Sequence, residues 1–283
     1  MSTPSVAATE ARHYAAAPDQ ADPHAKTWIT RGANFVVAVS QASAGTTFAR
    51  DNNPDEYMVY LVDAAAVIEA SGQTITAQAD SLTIVPPGAS RVTLSGAGQM
   101  VRLFSSKAGD MLALAANAGH YAGGAPEVAP LQAWPDPVGG FMLRNYQLAD
   151  FIKPDTNMRI FRSTNLMMNI MTSRDTPRDV RKLSPHSHTD FEQGSLALAG
   201  DWVHHMRYPW AADMTAWKND EHIEMSSPSL LVIPPKVIHT SRNVSQGRSS
   251  LVDVFAPPRM DFSSKPGMVA NAADYPMPAS AVK

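Results

Sequence analysis

Short runs of apolar and β-branched residues recur along the chain from about residue 28, and each run is followed by Gly, Pro, Asn or Asp. The clearest runs of the first half are NFVVAVS, YMVYLV, AVIEA, QTITAQ, SLTIVPP, RVTLSG and MVRLFS. Runs of this length and spacing predict β-strands joined by tight turns, as in β-sandwiches and barrels. Helical periodicity is confined to GDMLALAANAG. The pattern therefore predicts an all-β protein.

The two halves of the chain resemble each other. SLTIVPPGASRV (81–92) aligns without a gap with SLLVIPPKVIHT (229–240), and EYMVYLVD (56–63) aligns with QGSLALAG (193–200). Matches in the same order along the chain indicate two tandem copies of one β fold. The predicted domains are an N-terminal arm at 1–27, a first barrel at 28–125, a connector rich in Pro and Gly at 126–150, and a second barrel at 151–283.

Composition narrows the choice of partner and of ligand. Charged residues make up 17% of the 283 residues and the formal net charge is −3, so bulk charge gives no attraction to nucleic acid or to an anionic membrane. A small-molecule partner is therefore expected. The chain has no cysteine, which excludes thiol catalysis, disulfides and thiolate metal ligands.

The first 25 residues lack the apolar core of a signal peptide, and no run of the chain approaches the roughly 20 apolar residues that span a bilayer. We therefore expect a cytoplasmic protein without a membrane segment, with residues 1–25 forming a mobile or loosely docked arm.

The segment SPHSHTDFEQ (184–193) carries two histidines one residue apart. On a strand, residues i and i+2 point to the same face, so His186 and His188 can present both imidazoles to one point. A second segment, VIPPKVIHTSRN, supplies His239 after a proline-rich turn. Two strands that together offer nitrogen and oxygen ligands predict a metal site.

These two segments resemble the two motifs of the cupin superfamily. HSHTDFEQGSLALAG matches the first motif, and PPKVIHTSRN matches the second, with Lys236 in the usual glycine position. The resemblance implies two tandem cupin barrels, each a double-stranded β-helix or RmlC-like jelly roll, and thus a bicupin. Since the first half has no histidine at the matching positions, its barrel would be degenerate.

The resemblance also bears on the fourth ligand. In the first motif the acidic ligand lies seven positions before the glycine, and seven positions before Gly200 is Gln193. The implied ligand set is His186, His188, Gln193 and His239, holding one divalent Zn, Fe, Ni or Mn ion per chain. Glu192 stays the alternative to Gln193, because a carboxylate binds a divalent cation more strongly than an amide does. With Gln193 as ligand, Glu192 is expected outside the barrel or at its rim.

In the first half, Arg91 aligns with His239 and Glu56 aligns with Gln193. A carboxylate that faces a guanidinium predicts an internal ion pair in place of a metal. The first barrel is therefore expected to bind no ion.

Four further residues are candidates for catalysis or substrate binding. His204 and His205 follow the Gln193 strand, so one of them should face the interior and serve as a general acid or base. Arg162 could hold a substrate carboxylate, as could Arg181. The long segment 208–220 is predicted to be a lid, an oligomer contact or a plain surface insertion, and homodimerisation is left open.

The leading hypothesis is a metal-dependent, non-redox isomerase, lyase or cyclase. Its divalent ion would act as a Lewis acid on a small oxygen-rich substrate with carboxylate or carbonyl groups. The alternatives are an iron-dependent dioxygenase that cleaves a ring or a C–C bond, and a non-catalytic protein that binds a small molecule. The chain has no nucleophile-elbow, P-loop or dinucleotide-binding motif.

Overall fold

The computed structural model of the protein describes residues 7–279, of which β-strands are the dominant regular structure. This confirms the predicted all-β class. The strands of the first half are β1 Thr9–Ala11, β2 Gln20–Ala21, β3 Ala25–Arg31, β4 Phe35–Ala42, β5 Thr47–Asn53, β6 Tyr57–Leu61, β7 Ala66–Ala70, β8 Gln73–Ala77, β9 Ser81–Val85, β10 Gly88–Leu94, β11 Gly98–Ser105 and β12 Arg144–Gln147. Those of the second half are β13 Ile160–Arg162, β14 Met167–Ile170, β15 Gln193–Ala199, β16 Trp202–Arg207, β17 Glu221–Met225, β18 Ser229–Ile233, β19 Ile238–Asn243 and β20 Ser250–Phe255.

Helices are short. The two α-helices are α1 Gly109–Leu114, within the segment predicted to be helical, and α2 Met260–Ser263. Single 3-10 turns cover Ala118–Tyr121, Leu148–Phe151 and Met214–Ala216. No helix among residues 7–279 has the length and apolar character needed to cross a membrane.

The chain divides into two compact units. The C-terminal unit consists of the described residues up to Ala16, Gly124–Ala129 and Ile170–Val254. The N-terminal unit consists of Ala17–Gly123, Pro130–Asn169 and the described residues from Phe255 onwards. Each unit thus combines separate stretches of sequence, whereas the domain boundaries inferred from the sequence were contiguous; those boundaries stay a prediction.

In the N-terminal unit, a seven-stranded sheet has the order β12-β9-β6-β11-β4-β3-β2 and a four-stranded sheet has the order β5-β10-β7-β8. One apolar cluster takes residues from both sheets, among them Val59 and Phe104 from the larger sheet and Ile68 and Val92 from the smaller. Burial of these alternating apolar positions between two sheets holds the unit together, as in a sandwich or jelly roll.

In the C-terminal unit, β1, β18, β15 and β20 lie side by side in that order, and β17, β16 and β19 form a three-stranded sheet. Strands that align in sequence occupy equivalent places in the two units. The order β9-β6-β11 corresponds to β18-β15-β20, and the order β10-β7-β8 corresponds to β19-β16-β17. This topology agrees with the predicted duplication.

The N-terminal arm is more ordered than the sequence predicted. Its first six residues lie outside the described part of the chain, but β1 pairs with β18, with Thr9 opposite Val232. Tyr14 N donates to Pro228 O at 3.0 Å, and the His13 side chain is buried. The expectation of a loosely docked arm is therefore wrong for residues 9–14. An edge strand is held by backbone hydrogen bonds, which leave little trace in the side-chain pattern.

Candidate metal centre

His186 and His188 lie in an extended segment beside the start of β19 rather than in a regular strand. His186 forms an isolated antiparallel bridge with His239, in which His186 N donates to His239 O at 3.1 Å and His239 N donates to His186 O at 2.8 Å. Lys236 N donates to His188 O at 2.6 Å. These backbone bonds bring both motif segments to one place in the C-terminal unit.

The three imidazoles converge. One ring nitrogen from each of His186, His188 and His239 lies within 4.8 Å of the others, and this is the single such cluster of metal-binding side chains among residues 7–279. His188 and His239 are buried, whereas His186 is exposed. Phe191 stacks on the His188 ring, with the ring centroids 4.5 Å apart. The cluster therefore has one side open to solvent.

Hydrogen bonds to backbone carbonyls fix the tautomers of two of these rings. His186 Nδ1 lies 2.8 Å from Ser184 O, and His239 Nδ1 lies 2.9 Å from Val237 O. A carbonyl oxygen only accepts, so each Nδ1 carries the proton and each neutral ring keeps a lone pair on Nε2. Such second-shell bonds are the usual way in which a metal-binding histidine is oriented.

Gln193, the first residue of β15, lies against the cluster. Its Oε1 is 2.9 Å from His188 Nε2 and 3.3 Å from His239 Nε2. Its Nε2 donates to Asp253 Oδ1 at 3.0 Å, which turns the carbonyl oxygen of the amide towards the histidines. With the proton on Nδ1, His239 Nε2 is a hydrogen-bond acceptor, and so is Gln193 Oε1. The two atoms therefore form no hydrogen bond with each other, and a cation between them would bind the lone pairs of both.

Asp253 was not among the residues predicted from the sequence. It lies in β20, opposite Ser195 of β15 in the register, and only 8% of it is exposed. The available signal was a single carboxylate inside the apolar run SLVDVF. A carboxylate in a buried strand has to be paired, but the partner could be identified only from the tertiary structure.

Glu192 is 3% exposed and Gln193 is 4% exposed. Burial of Glu192 differs from the expected position outside the barrel or at its rim. The contacts of Gln193 with two of the histidines make Gln193 the better-placed oxygen donor. Its role as a ligand nevertheless stays a prediction, as does that of the three histidines.

The residues present fit a divalent metal. Three imidazoles and one amide oxygen are donors that Zn, Fe, Ni and Mn accept, and the inward lone pairs of His186 and His239 have the orientation that coordination needs. His186, His188, Gln193 and His239 would hold the ion. The metal is not identified by this donor set.

His204 and His205 face opposite sides of β16. His204 pairs with Ser241 and Met206 pairs with His239 in the register of β16 with β19, so His204 shares the inward face of His239. His204 is 1% exposed, and its Nδ1 lies 2.7 Å from Ser241 Oγ. Burial, together with the charges of His239 and His205, lowers the pKa of His204 to about 3. Its ring is therefore neutral at neutral pH.

His205 lies on the outer face of the same sheet. Its Nδ1 is 2.8 Å from His222 Nδ1, and Arg242 Nε donates to His205 Nε2 at 3.2 Å. Of the two neighbouring histidines, His204 is thus the one on the side of the candidate metal ligands.

Arg162 belongs to the N-terminal unit, and not to the unit that carries the histidine cluster. It is 2% exposed, its Nε donates to Tyr275 O at 3.1 Å, and its guanidinium lies over the Trp134 ring. The side chain of Arg181 is 86% exposed and pairs with Asp179. The structure therefore gives both arginines other partners, and their predicted contact with a substrate carboxylate stays untested.

The predicted ion pair between Glu56 and Arg91 is wrong. Glu56 is fully buried and accepts hydrogen bonds from Thr164 N and Oγ1, at 3.1 and 3.0 Å, and from Tyr275 Oη at 2.7 Å. Arg91 is exposed on β10, between the buried Ser90 and Val92. Successive strand residues face opposite sides, so Arg91 points outward.

The insertion at 208–220 contains the 3-10 turn and two tryptophans. Trp210 and Trp217 stack with their centroids 4.3 Å apart and their planes at 5°, and Trp210 is 75% exposed. Its predicted role as a lid or an oligomer contact is not tested by this geometry.

Neither the comparison with family models nor the search of curated proteins gives a match. Solved structures do match. A variant of Bacillus subtilis oxalate decarboxylase aligns with a TM-score of 0.58 and 12% identity, over 96% of this chain and 84% of that one. AerE from Microcystis aeruginosa aligns with a TM-score of 0.56 and 9% identity, over 84% and 95% of the two chains. The chain has a bicupin fold. At these identities the likeness of this chain to its neighbours extends to the fold alone.

Proposed function

We propose that this bicupin is an enzyme whose C-terminal unit uses one divalent ion on a small substrate with carboxylate or carbonyl groups, in a non-redox lyase, isomerase or cyclase reaction. The observation that carries the proposal is the set of inward lone pairs on His186, His239 and Gln193, each oriented by a hydrogen bond on its other side. Oxalate decarboxylase, a neighbour in fold, is named for a reaction of a small carboxylate, and the proposal extends that substrate class to this chain.

The bound ion would supply Lewis-acid stabilisation of negative charge that develops on a substrate oxygen. A neutral amide in the ligand set leaves more positive charge at the centre than a carboxylate would. Asp253 accepts a hydrogen bond from Gln193 Nε2. This bond keeps the oxygen atom of the Gln193 amide, rather than its NH₂ group, directed at the histidine cluster.

His204 is the proposed proton-transfer residue. It lies on the inward face beside the candidate ligands, with Nδ1 bonded to Ser241 Oγ and with a buried Nε2 that has no hydrogen-bond partner among the described residues. The exposed side of His186 gives a small substrate a route to the cluster.

Elemental analysis of the purified, untagged protein is the first test, together with oxygen uptake and product analysis on a panel of small keto acids, dicarboxylates and diketones. We expect about one zinc, nickel or manganese per chain, turnover without oxygen consumption, and loss of both metal and turnover in His186→Ala. His120→Ala is the matched control, because His120 is an exposed histidine outside the cluster. One iron per chain with oxygen uptake would favour a dioxygenase, and a metal-free active or ligand-binding protein would overturn the proposal.

A further inference from the structure

The N-terminal unit contains an arginine that points into its apolar core. Arg102 lies in β11 between Met100 and Phe104, and all three share one strand face. Met100 and Phe104 belong to the apolar cluster of this unit, as do Val59 and Ala38, the cross-strand neighbours of Arg102. Sequence pattern and register therefore give Arg102 directly adjacent neighbours on its strand face, Met100, Phe104, Val59 and Ala38, that are apolar.

Arg102 has no counter-charge within the described part of the chain. It is 6% exposed, its Nε is buried without a hydrogen-bond partner, and none of the ion pairs among residues 7–279 involves it. Burial lowers its pKa to about 10, so the group stays protonated at neutral pH. A buried charge is normally paired, because its removal from water costs free energy that only a partner can offset.

The groups around the guanidinium are aromatic or already neutralised. Its carbon lies 4.5 Å from the centre of the Phe48 ring and 5.9 Å from that of Phe104. Arg50 also lies over Phe104, at 5.3 Å, but both of its terminal nitrogens bind Asp110. Two guanidiniums and one carboxylate leave this cluster with one net positive charge.

Aromatic rings and a hydroxyl group lie near the guanidinium of Arg102. Tyr57 stacks on Phe104 with the centroids 4.9 Å apart, and its hydroxyl group lies 2.9 Å from Ser90 Oγ. Phe48, whose ring lies against the guanidinium, is only partly buried. Aromatic walls with few polar groups are typical of sites for small organic ligands.

A purely structural role explains this arrangement less well. An aliphatic side chain of similar volume would fill the same space without the desolvation of a charge, and the contacts with phenylalanine rings offset that loss only in part. A planar carboxylate, in contrast, matches the donor fork of arginine. We infer that the N-terminal barrel, although it has no candidate metal ligands, is a binding site for a small organic carboxylate with a flat apolar body, anchored by Arg102.

Benzoate is the probe, and benzamide is its neutral isostere. Thermal unfolding of the full chain is followed in wild type, Arg102→Met and Arg91→Met, in which the exposed Arg91 of the same unit gives the same change in charge. Millimolar benzoate should raise the Tm of wild type and of Arg91→Met by several degrees. It should leave Arg102→Met unchanged, and benzamide should have no effect on any of the three.

Two further variants keep the test decisive. His239→Ala, which removes a candidate metal ligand of the other unit, should retain the benzoate effect, so this site can fail or hold independently of the proposed enzyme. Arg102→Lys keeps the charge without the fork and should bind benzoate at least tenfold more weakly by calorimetry, a readout that remains if Arg102→Met does not fold. Absence of a benzoate effect in wild type, or an equal effect in Arg102→Met or Arg102→Lys, would overturn the inference.

Discussion

The two units of this chain share a strand order, but residues that align in sequence at the site face opposite sides of their sheets. Ser90 aligns with Ile238 and Arg91 aligns with His239. In the N-terminal unit Ser90 is buried and Arg91 is exposed, whereas in the C-terminal unit Ile238 is 45% exposed and His239 is buried.

A bulge lies beside the aligned positions of the N-terminal unit. The pairing of β10 with β5 has a register irregularity between Gly88 and Ser90, just before the aligned positions. The extra residue of this bulge belongs to β5, in which Asn53 and Arg50 are three residues apart where Gly88 and Ser90 of β10 are two apart. The comparison teaches that alignment in sequence does not ensure the same facing. Because Arg91 is exposed, a histidine placed at position 91 would not rebuild a metal site in the N-terminal unit.

Removal of one candidate metal ligand should leave the C-terminal unit, like the N-terminal unit, without a bound metal. His239→Ala and His186→Ala are each expected to lose nearly all bound metal, because three-histidine coordination is broken, while the strands stay folded. Metal content by elemental analysis and circular dichroism check this. Arg91→Ala, at the aligned position, should change neither metal content nor stability appreciably, since the side chain is exposed. Full metal retention in both histidine variants would refute the ligand assignment.

Substitution of Asp253, which hydrogen-bonds the candidate ligand Gln193, should have the next largest effect on metal affinity. Asp253→Ala frees the Gln193 amide to rotate, and loss of such a second-shell partner typically lowers metal affinity by roughly 10- to 100-fold. Gln193→Ala should weaken binding far more than Glu192→Ala. Titration with a chelator measures both, and Asp201→Ala, an exposed aspartate of the same unit, is the control. A larger loss in Glu192→Ala would transfer the ligand role to Glu192.

Acid should destabilise the C-terminal unit through His13, in the segment that follows β1. Burial lowers the pKa of His13 to about 4. The unfolded chain therefore binds more protons below about pH 6.5, so stability is lost as the pH falls from about 6.5 towards 4. At pH 5 the loss from this group is about 2 kcal/mol relative to pH 8. Urea unfolding at both pH values should show a smaller loss in His13→Phe than in wild type or in the exposed control His24→Ala. An unchanged pH dependence in His13→Phe would contradict this assignment.

The turn that precedes the site gives the smallest effect. Gly88 and Lys236 align, and both have a left-handed backbone, with φ of +101° and +68°. Glycine adopts this region freely, whereas a side chain raises the energy by about 1 kcal/mol. Lys236→Gly should therefore stabilise the protein by about 1 kcal/mol, and Gly88→Ala should destabilise it by a similar amount. Urea midpoints check both, and a destabilised Lys236→Gly would indicate that the lysine side chain has a compensating contact.

Many of the strands could be predicted from the sequence, because apolar runs bounded by turn residues indicate β-strands directly. The run AVIEA matches β7, and SLTIV matches β9, residue for residue. The two-segment origin of the histidine cluster was also readable from residue spacing. The outward position of Arg91 was not, because the ungapped alignment with His239 does not report which face of the strand a residue occupies. The role of Asp253 and the pairing of residues 9–11 were hidden because both depend on distant parts of the chain.

The pairing of Thr9 with Val232 has a consequence for the order in which the protein is made. Residues 9–11 leave the ribosome early, yet their partner strand emerges only when most of the chain has been synthesised. Until then residues 9–11 remain unpaired. A fragment limited to residues 151–283 would lack this strand altogether. Such a fragment would present the unpaired edge of β18 to other molecules, so separate production of the second half favours edge-to-edge association over a soluble barrel.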